Sequence, residues 1–130
     1  MARRELNTEY VRLVLEDGIV IAVYGNLEIT LEIAKEIVRT RMSFTEGDRY
    51  PALADITQVA SVSKEARVYF SRDAAVQGIA AGALLVNSAF STFIGNFFLK
   101  VSFSNPFPTK LFHNKNSAKK WLQQFIEHKE

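Results

Sequence analysis

The sequence lacks cysteine altogether, and its 130 residues include only three prolines and six glycines. Without cysteine the chain forms no disulfide, no thiolate nucleophile and no cysteine-ligated metal site. The absence is typical of a reducing compartment, and we expect a cytoplasmic location. The glycines also lack the spacing of a phosphate-binding or dinucleotide-binding loop, so no nucleotide cofactor is expected.

Charge of neither sign dominates, with 16 lysines and arginines against 14 aspartates and glutamates. The basic residues are dispersed along the chain in short pairs, namely Arg3 and Arg4, Arg39 and Arg41, and Lys119 and Lys120. Nucleic-acid-binding domains normally concentrate such residues in one patch or stripe. We therefore expect no nucleic-acid partner.

Familiar sets of catalytic and metal-binding side chains are also missing from the sequence. There is no Gly-x-Ser-x-Gly motif of a serine hydrolase. The two histidines, His113 and His128, have no convincing triad partner in sequence and no spaced carboxylate cluster that would complete a metal site. We expect no catalytic residue, no metal and no cofactor, and hence a protein that is not an enzyme.

The longest uncharged stretch runs from Ala74 to Leu99 and contains no proline. Its first part, Ile79–Val86, is an apolar run of strand length. Its second part has helical periodicity, with one apolar face formed by Phe90, Phe93, Ile94, Phe97, Phe98 and Val101. An opposite polar stripe consists of Ser88, Ser91, Thr92, Gly95 and Asn96. A membrane span would be apolar all round, so we predict a strand followed by an amphipathic helix and no transmembrane segment.

The N-terminal half begins with a predicted hairpin. Strands are expected over Glu9–Glu16 and Ile19–Tyr24, and Asp17-Gly18 between them is typical of a type I′ turn.

Helices and strands then alternate, which favours a mainly parallel sheet. The predicted elements are a helix from Leu31 to about Met42 capped by Thr30, a strand over Pro51–Ile56, a helix capped by Ser63 that runs to about Gln77, a strand over Lys110–His113, and a last helix capped by Asn116 or Ser117.

The resulting order is ββαβαβαβα in a single domain over residues 1–130. It predicts an α/β fold with a five-stranded, mostly parallel sheet that contains one antiparallel strand, together with four helices.

This element order, together with residues 52–66, resembles the SpoIIAA-like (STAS-type) domains, whose best-known members are anti-anti-sigma factors. In that family a strand ending in aspartate is followed by a loop and by an Asp-Ser-Ser-Gly motif, in which a serine is phosphorylated. Asp55 matches the strand end, but the motif falls on Ser63-Lys64-Glu65-Ala66, with Lys64 in place of the phosphorylated serine. The resemblance implies the fold and a role in protein interaction, without the usual phosphoserine switch.

A second resemblance covers residues 82–96 and 108–112 and continues to Ala118 and Trp121-Leu122. These segments look like a group of small, mostly uncharacterised bacterial proteins described as STAS-like or as related to the CRAL-TRIO lipid-carrier fold. That resemblance implies a bacterial protein. The relation to lipid carriers makes an apolar ligand possible.

Two polar groups follow neighbouring predicted strands, where ligand crevices of parallel sheets lie. They form a candidate anion-binding or partner-binding loop and consist of Asp55, Thr57, Ser61, Ser63, Lys64, Asn87, Ser88 and Ser91. Backbone N–H groups and the helix dipole at Ser63 and Lys64 would attract a negative group, and a phosphate on Ser61 or Ser63 would be favourable there. Ordinary turn and capping chemistry is the alternative explanation.

The phenylalanine stripe admits three interpretations. Phe90, Phe93, Phe97 and Phe98 either pack in the core, form a homodimer interface, or line a pocket for an apolar ligand. We predict a non-enzymatic protein-interaction or regulatory domain that forms a homodimer. The alternative is a small carrier or sensor of an apolar, lipid-like ligand.

Overall fold

The computed structural model describes residues 3–101 and 107–127, with side chains except at positions 73, 74 and 101, so the predictions for the Val101 side chain and for His128 fall outside it. Eight strands are present, β1 Arg4–Asn7, β2 Val11–Glu16, β3 Ile19–Tyr24, β4 Glu28–Ile29, β5 Tyr50–Asp55, β6 Ser61–Val62, β7 Ile79–Leu85 and β8 Thr109–Phe112. The helices are α1 Leu31–Phe44, α2 Lys64–Phe70, α3 Ala89–Val101 and α4 Lys115–Gln123, and a 3-10 turn spans Asp73–Val76.

The main sheet has six strands in the order β1-β2-β3-β5-β7-β8. Within it β2 pairs antiparallel with both of its neighbours, while the pairs from β3 to β8 are parallel. The α/β class and the mostly parallel sheet with one strand running against the others are therefore confirmed. The predicted number of five strands is wrong, because β1 adds a sixth, and β4 and β6 form a separate two-stranded ribbon.

Local turn and capping chemistry explains where several elements begin and end. Asp17 and Gly18 both have positive φ, at 54° and 76°, as the predicted hairpin turn requires. Thr30 and Ser63 cap α1 and α2 as predicted. The cap of α4 is Asn114, whose side chain accepts from Ser117 N, so the prediction of Asn116 or Ser117 is wrong by one turn or less. The second helix ends at Phe70, well before Gln77, and the 3-10 turn follows it.

The sheet is covered on both faces, which explains why its central strands read as continuous apolar runs. Side chains alternate between faces along each strand, so Ile19 and Ile21 of β3 pack with Leu122 of α4. Val20 and Ala22 point to the other face, where α1, α2 and α3 lie. In the described residues no helix is long and apolar enough to cross a membrane.

Helix α3 is rotated relative to the sequence prediction. Ser91 and Ile94 are each 2% exposed, whereas Phe93 is 59% exposed and Phe90 is 38% exposed. A Cβ atom placed on Gly95 would lie 2.6 Å from Leu111 Cδ2 of β8, so a larger residue there would require the Leu111 side chain to move. The buried face thus includes Ser91 and Gly95 from the predicted polar stripe, and that part of the prediction is wrong.

Candidate functional site

In the first predicted polar group, which extends from Asp55 to Lys64, the side chains make local turn and capping hydrogen bonds. Asp55 Oδ1 accepts hydrogen bonds from Thr57 N at 3.0 Å and from Thr57 Oγ1 at 2.6 Å. Ser63 Oγ accepts from Ala66 N at 3.1 Å as the N-cap of α2, while Lys64 is exposed. Ser61 is a partly buried residue of β6. These contacts match the alternative explanation of capping and turns, and phosphorylation of Ser61 or Ser63 stays a prediction.

The second polar group forms a reciprocal cap at the start of α3. Ser91 Oγ accepts from the backbone N–H groups of Asn87 and Ser88, at 2.9 and 3.0 Å. Ser88 Oγ in turn accepts from Ser91 N at 3.0 Å. Because Ser91 is 2% exposed, its hydroxyl serves the fold and is not free for a ligand. Asn87 and Ser88 remain exposed.

An open surface depression lies beside this cap. It is lined by Asn87, Ser88, Ala89, Thr92, Phe93, Asn96 and His113. No described residue of the Asp55–Lys64 loop belongs to this lining, so the two predicted polar groups do not form one pocket there. His113 was not predicted as a site residue; the signal for it is its place after β8, which pairs with β7.

A second, more enclosed and mostly apolar cavity of about 160 Å³ lies between the main sheet and the helices on its α1 face. Its floor is formed by small residues of three adjacent strands, namely Ala22 of β3, Ala52 and Ala54 of β5, and Gly82 of β7. The strand register places Ala54 next to Ala22, and Gly82 next to Ala52. The alanines leave space that larger residues would fill, whereas the ring of Phe107 packs against Gly82, with its Cε1 atom 3.2 Å from where a Cβ atom would stand.

Helical side chains close this cavity from above. Ile37, Val38 and Arg41 come from α1, Phe70 from α2, and Phe98 from α3. The rings of Phe70 and Phe98 meet edge to face with centroids 6.3 Å apart. Of the four predicted phenylalanines, only Phe98 lines this cavity; Phe97 packs on Phe98 at 5.5 Å, and Phe90 and Phe93 point outward.

Three polar side chains interrupt the apolar lining. Arg41 donates from Nη2 to the carbonyl of Ala75 at 3.1 Å, and burial lowers the pKa of its guanidinium. Tyr24 keeps some exposed surface, but burial of its phenol raises the pKa to about 12, while the nearby charge of Arg41 acts in the opposite direction. Thr109 Oγ1 is buried with no hydrogen-bond partner among the described residues.

Arg41 was not predicted as a site residue, but its position on α1 is a signal for it in the sequence. Arg41 continues the apolar face of α1, since it follows Ala34, Ile37 and Val38 at helical spacing. A charged residue on the buried face of a helix is unusual unless it has a partner. The described side chains include no group of three or more residues suited to hold a metal ion.

Comparisons with known proteins show the fold and the family. A solved structure of an uncharacterised DUF3478-family protein with a SpoIIAA-like fold, from Shewanella loihica PV-4, matches with a TM-score of 0.55. The two sequences are 17% identical, and the match covers 93% of this chain and 92% of the other. The predicted SpoIIAA-like fold is thereby confirmed. Among curated proteins there is no match. A family model described as a domain of unknown function, DUF7793, matches residues 13–126, and the chain therefore belongs to the DUF7793 family.

Proposed function

We propose that this chain is a non-enzymatic, cytoplasmic binding domain that carries or senses a small apolar molecule. The observation that carries the proposal is the cavity of about 160 Å³ between the sheet and the helices, with its floor of alanine and glycine. Natural cores contain few voids larger than a water molecule, because empty space forfeits packing contacts. An apolar cavity of roughly 150 Å³ accommodates a molecule the size of benzene.

The polar loops give less support to binding at the strand ends. The side chains of Asp55, Ser63 and Ser91 each accept hydrogen bonds from nearby N–H groups. Each of these contacts caps a helix or closes a turn, which is a sufficient structural reason for the residue type. The empty volume of the cavity, in contrast, contributes no packing contacts, so capping and turn chemistry do not account for it.

Filling the cavity should weaken binding of a ligand. Ala52 lines the floor, and replacing it by leucine places three more carbon atoms in the empty space. We expect Ala52→Leu to weaken binding of nitrobenzene and benzoate by about tenfold or more, because the ligand volume is taken. The measurement is a titration followed by amide chemical shifts in two-dimensional NMR.

Ala60→Leu is the matched control, since Ala60 is exposed in the loop before β6 and should leave binding unchanged. If neither compound binds the wild-type protein, or if Ala52→Leu binds them as well as wild type does, the cavity is not a ligand site. Native mass spectrometry of freshly purified protein adds an independent readout, namely a small molecule that remains bound.

A second candidate function is protein interaction through α3. Phe93 is 59% exposed and stands in the open depression, between Asn87, Ser88 and His113. Exposed aromatic rings with a polar surround are typical of interfaces. On this interpretation the occupant is a second copy of the chain, as the predicted homodimer requires.

The Phe93→Glu variant should be monomeric if this surface joins two copies. A charge at the centre of an apolar contact is desolvated without a partner, so we expect the dissociation constant to rise at least tenfold. Native mass spectrometry and light scattering measure the change. Gln123→Glu, an exposed change on α4 at the opposite face of the sheet, is the control. A wild-type protein that is already monomeric at high concentration would exclude this second candidate.

A further inference from the structure

One of the residues that line the cavity, Arg41, carries a positive charge in an unusual environment. Arg41 lies among apolar side chains, and its guanidinium donates one hydrogen bond, to the Ala75 carbonyl. None of the ion pairs found among the described side chains involves Arg41. A guanidinium carries five N–H donors and stays protonated, so most of its capacity is unused by the described residues.

Arg41 is half-buried, and a charge that is partly withdrawn from water is costly to a fold unless it is paired. Arg39, two residues earlier on the same helix, shows the usual arrangement: it is exposed and pairs with Glu36 at 2.7 Å. The charge of Arg41 instead points to an anion that is not among the described residues.

Other polar groups lie around the same space. Tyr24 lines the cavity and interacts electrostatically with Arg41, and its phenol stays protonated at neutral pH. A protonated phenol is able to donate a hydrogen bond. Thr109 Oγ1 is a further buried hydroxyl without a partner among the described residues. An apolar volume with a guanidinium and two hydroxyl donors suits a molecule that is apolar at one end and anionic at the other.

We propose that the cavity binds a small apolar carboxylic acid, with its ring or short chain over the alanines of the floor and its carboxylate on Arg41. This inference rests on the proposed function, which it deepens by naming the class of ligand. The size of the cavity limits the acid to about the dimensions of benzoate. The planar guanidinium matches a carboxylate through two parallel N–H···O bonds, which explains an arginine at this place better than a lysine.

The experiment compares benzoate with nitrobenzene, which has the same shape and no net charge. In the wild-type protein we expect benzoate to bind about tenfold tighter or more, since hydrogen bonds to charged groups exceed neutral ones. In Arg41→Met that preference should disappear while nitrobenzene still binds. Arg39→Met, at the exposed position on the same helix, should keep the wild-type preference.

A measurement on the wild-type protein tests whether Arg41 binds the carboxylate, even if Arg41→Met fails to fold. The Nε–H signal of Arg41 in two-dimensional NMR should shift on addition of benzoate and stay in place with nitrobenzene. Equal affinity for the two compounds, or a benzoate preference that survives in Arg41→Met, would overturn the assignment of Arg41 while the cavity remains a ligand site. Failure of both compounds to bind the wild-type protein would overturn the proposed function itself.

Discussion

The Leu122→Ala variant is expected to lose about 2–5 kcal/mol of the free energy of unfolding. Leu122 is completely buried on α4 and packs with Ile19, Ile21 and Leu53 of the two central strands β3 and β5. Removing three carbon atoms there forfeits their transfer free energy and leaves a void that the stiff sheet fills only in part. Equilibrium unfolding in urea, followed by circular dichroism, measures the loss.

The neighbouring residue provides the control. Gln123 is exposed on the same helix, so Gln123→Ala should change the free energy of unfolding by less than about 0.5 kcal/mol. Equal stability of the two variants would mean that α4 does not cover this face of the sheet. The Leu122→Ala variant should leave the ligand cavity unchanged, because α4 lies on the opposite face of the sheet.

Elements with strong local signals were predicted from the sequence. The turn at Asp17-Gly18 needs positive φ, and this residue pair adopts it readily. Thr30 and Ser63 cap helices because their hydroxyls accept a hydrogen bond from the N–H group three residues later. Such interactions span a few residues, so the sequence contains everything that determines them.

Strand β1 was missed because its stabilisation is not local. Its four residues, Arg-Glu-Leu-Asn, have no buried side chain, and the strand is ordered by pairing with β2. Arg12 of β2 donates from Nε to Glu5 Oε1 at 2.9 Å across that pair. An edge strand of this kind shows no apolar alternation, which is the signal that sequence analysis relies on.

The orientation of α3 includes a close contact between Gly95 and Leu111 that the sequence does not reveal. Periodicity identified the helix but assigned Gly95 to the outer stripe. In the structure the missing Cβ of Gly95 lets Leu111 approach, and the helix turns Ser91 and Ile94 inward. Phe90 and Phe93 are exposed as a consequence. A helix with apolar residues over much of its circumference has several faces that satisfy the hydrophobic pattern, and packing selects among them.

The candidate ligand site was predictable only in its parts. The alanines and the glycine of the floor are visible in the sequence, but their alignment follows from the register of β3, β5 and β7. Arg41 became a candidate only when the structure showed that it lines the same space. A cavity is the volume that several elements leave between them, and no segment of the chain encodes it alone.

The Phe98→Glu variant is expected to lose about 3–5 kcal/mol of the free energy of unfolding. Phe98 packs against the buried cluster formed by α1, α2 and α3, and its ring contacts those of Phe70 and Phe97. A carboxylate at this position loses the ring contacts with Phe70 and Phe97 and is withdrawn from water into a mostly apolar lining. Because small domains are stable by only about 5–15 kcal/mol, this loss should be a large share of the total and is readily measured.

Phe93→Glu, five residues earlier on the same helix, makes the same chemical change at a ring that is 59% exposed, and should alter stability by less than about 0.5 kcal/mol. The pair separates two roles within one phenylalanine stripe, since stability depends on Phe98 and any effect of Phe93 must come through a partner. Thermal unfolding of both variants, with light scattering for oligomeric state, distinguishes them. If Phe93→Glu were the less stable of the two, the rotation of α3 described above would be wrong, and Phe93 would belong to the core.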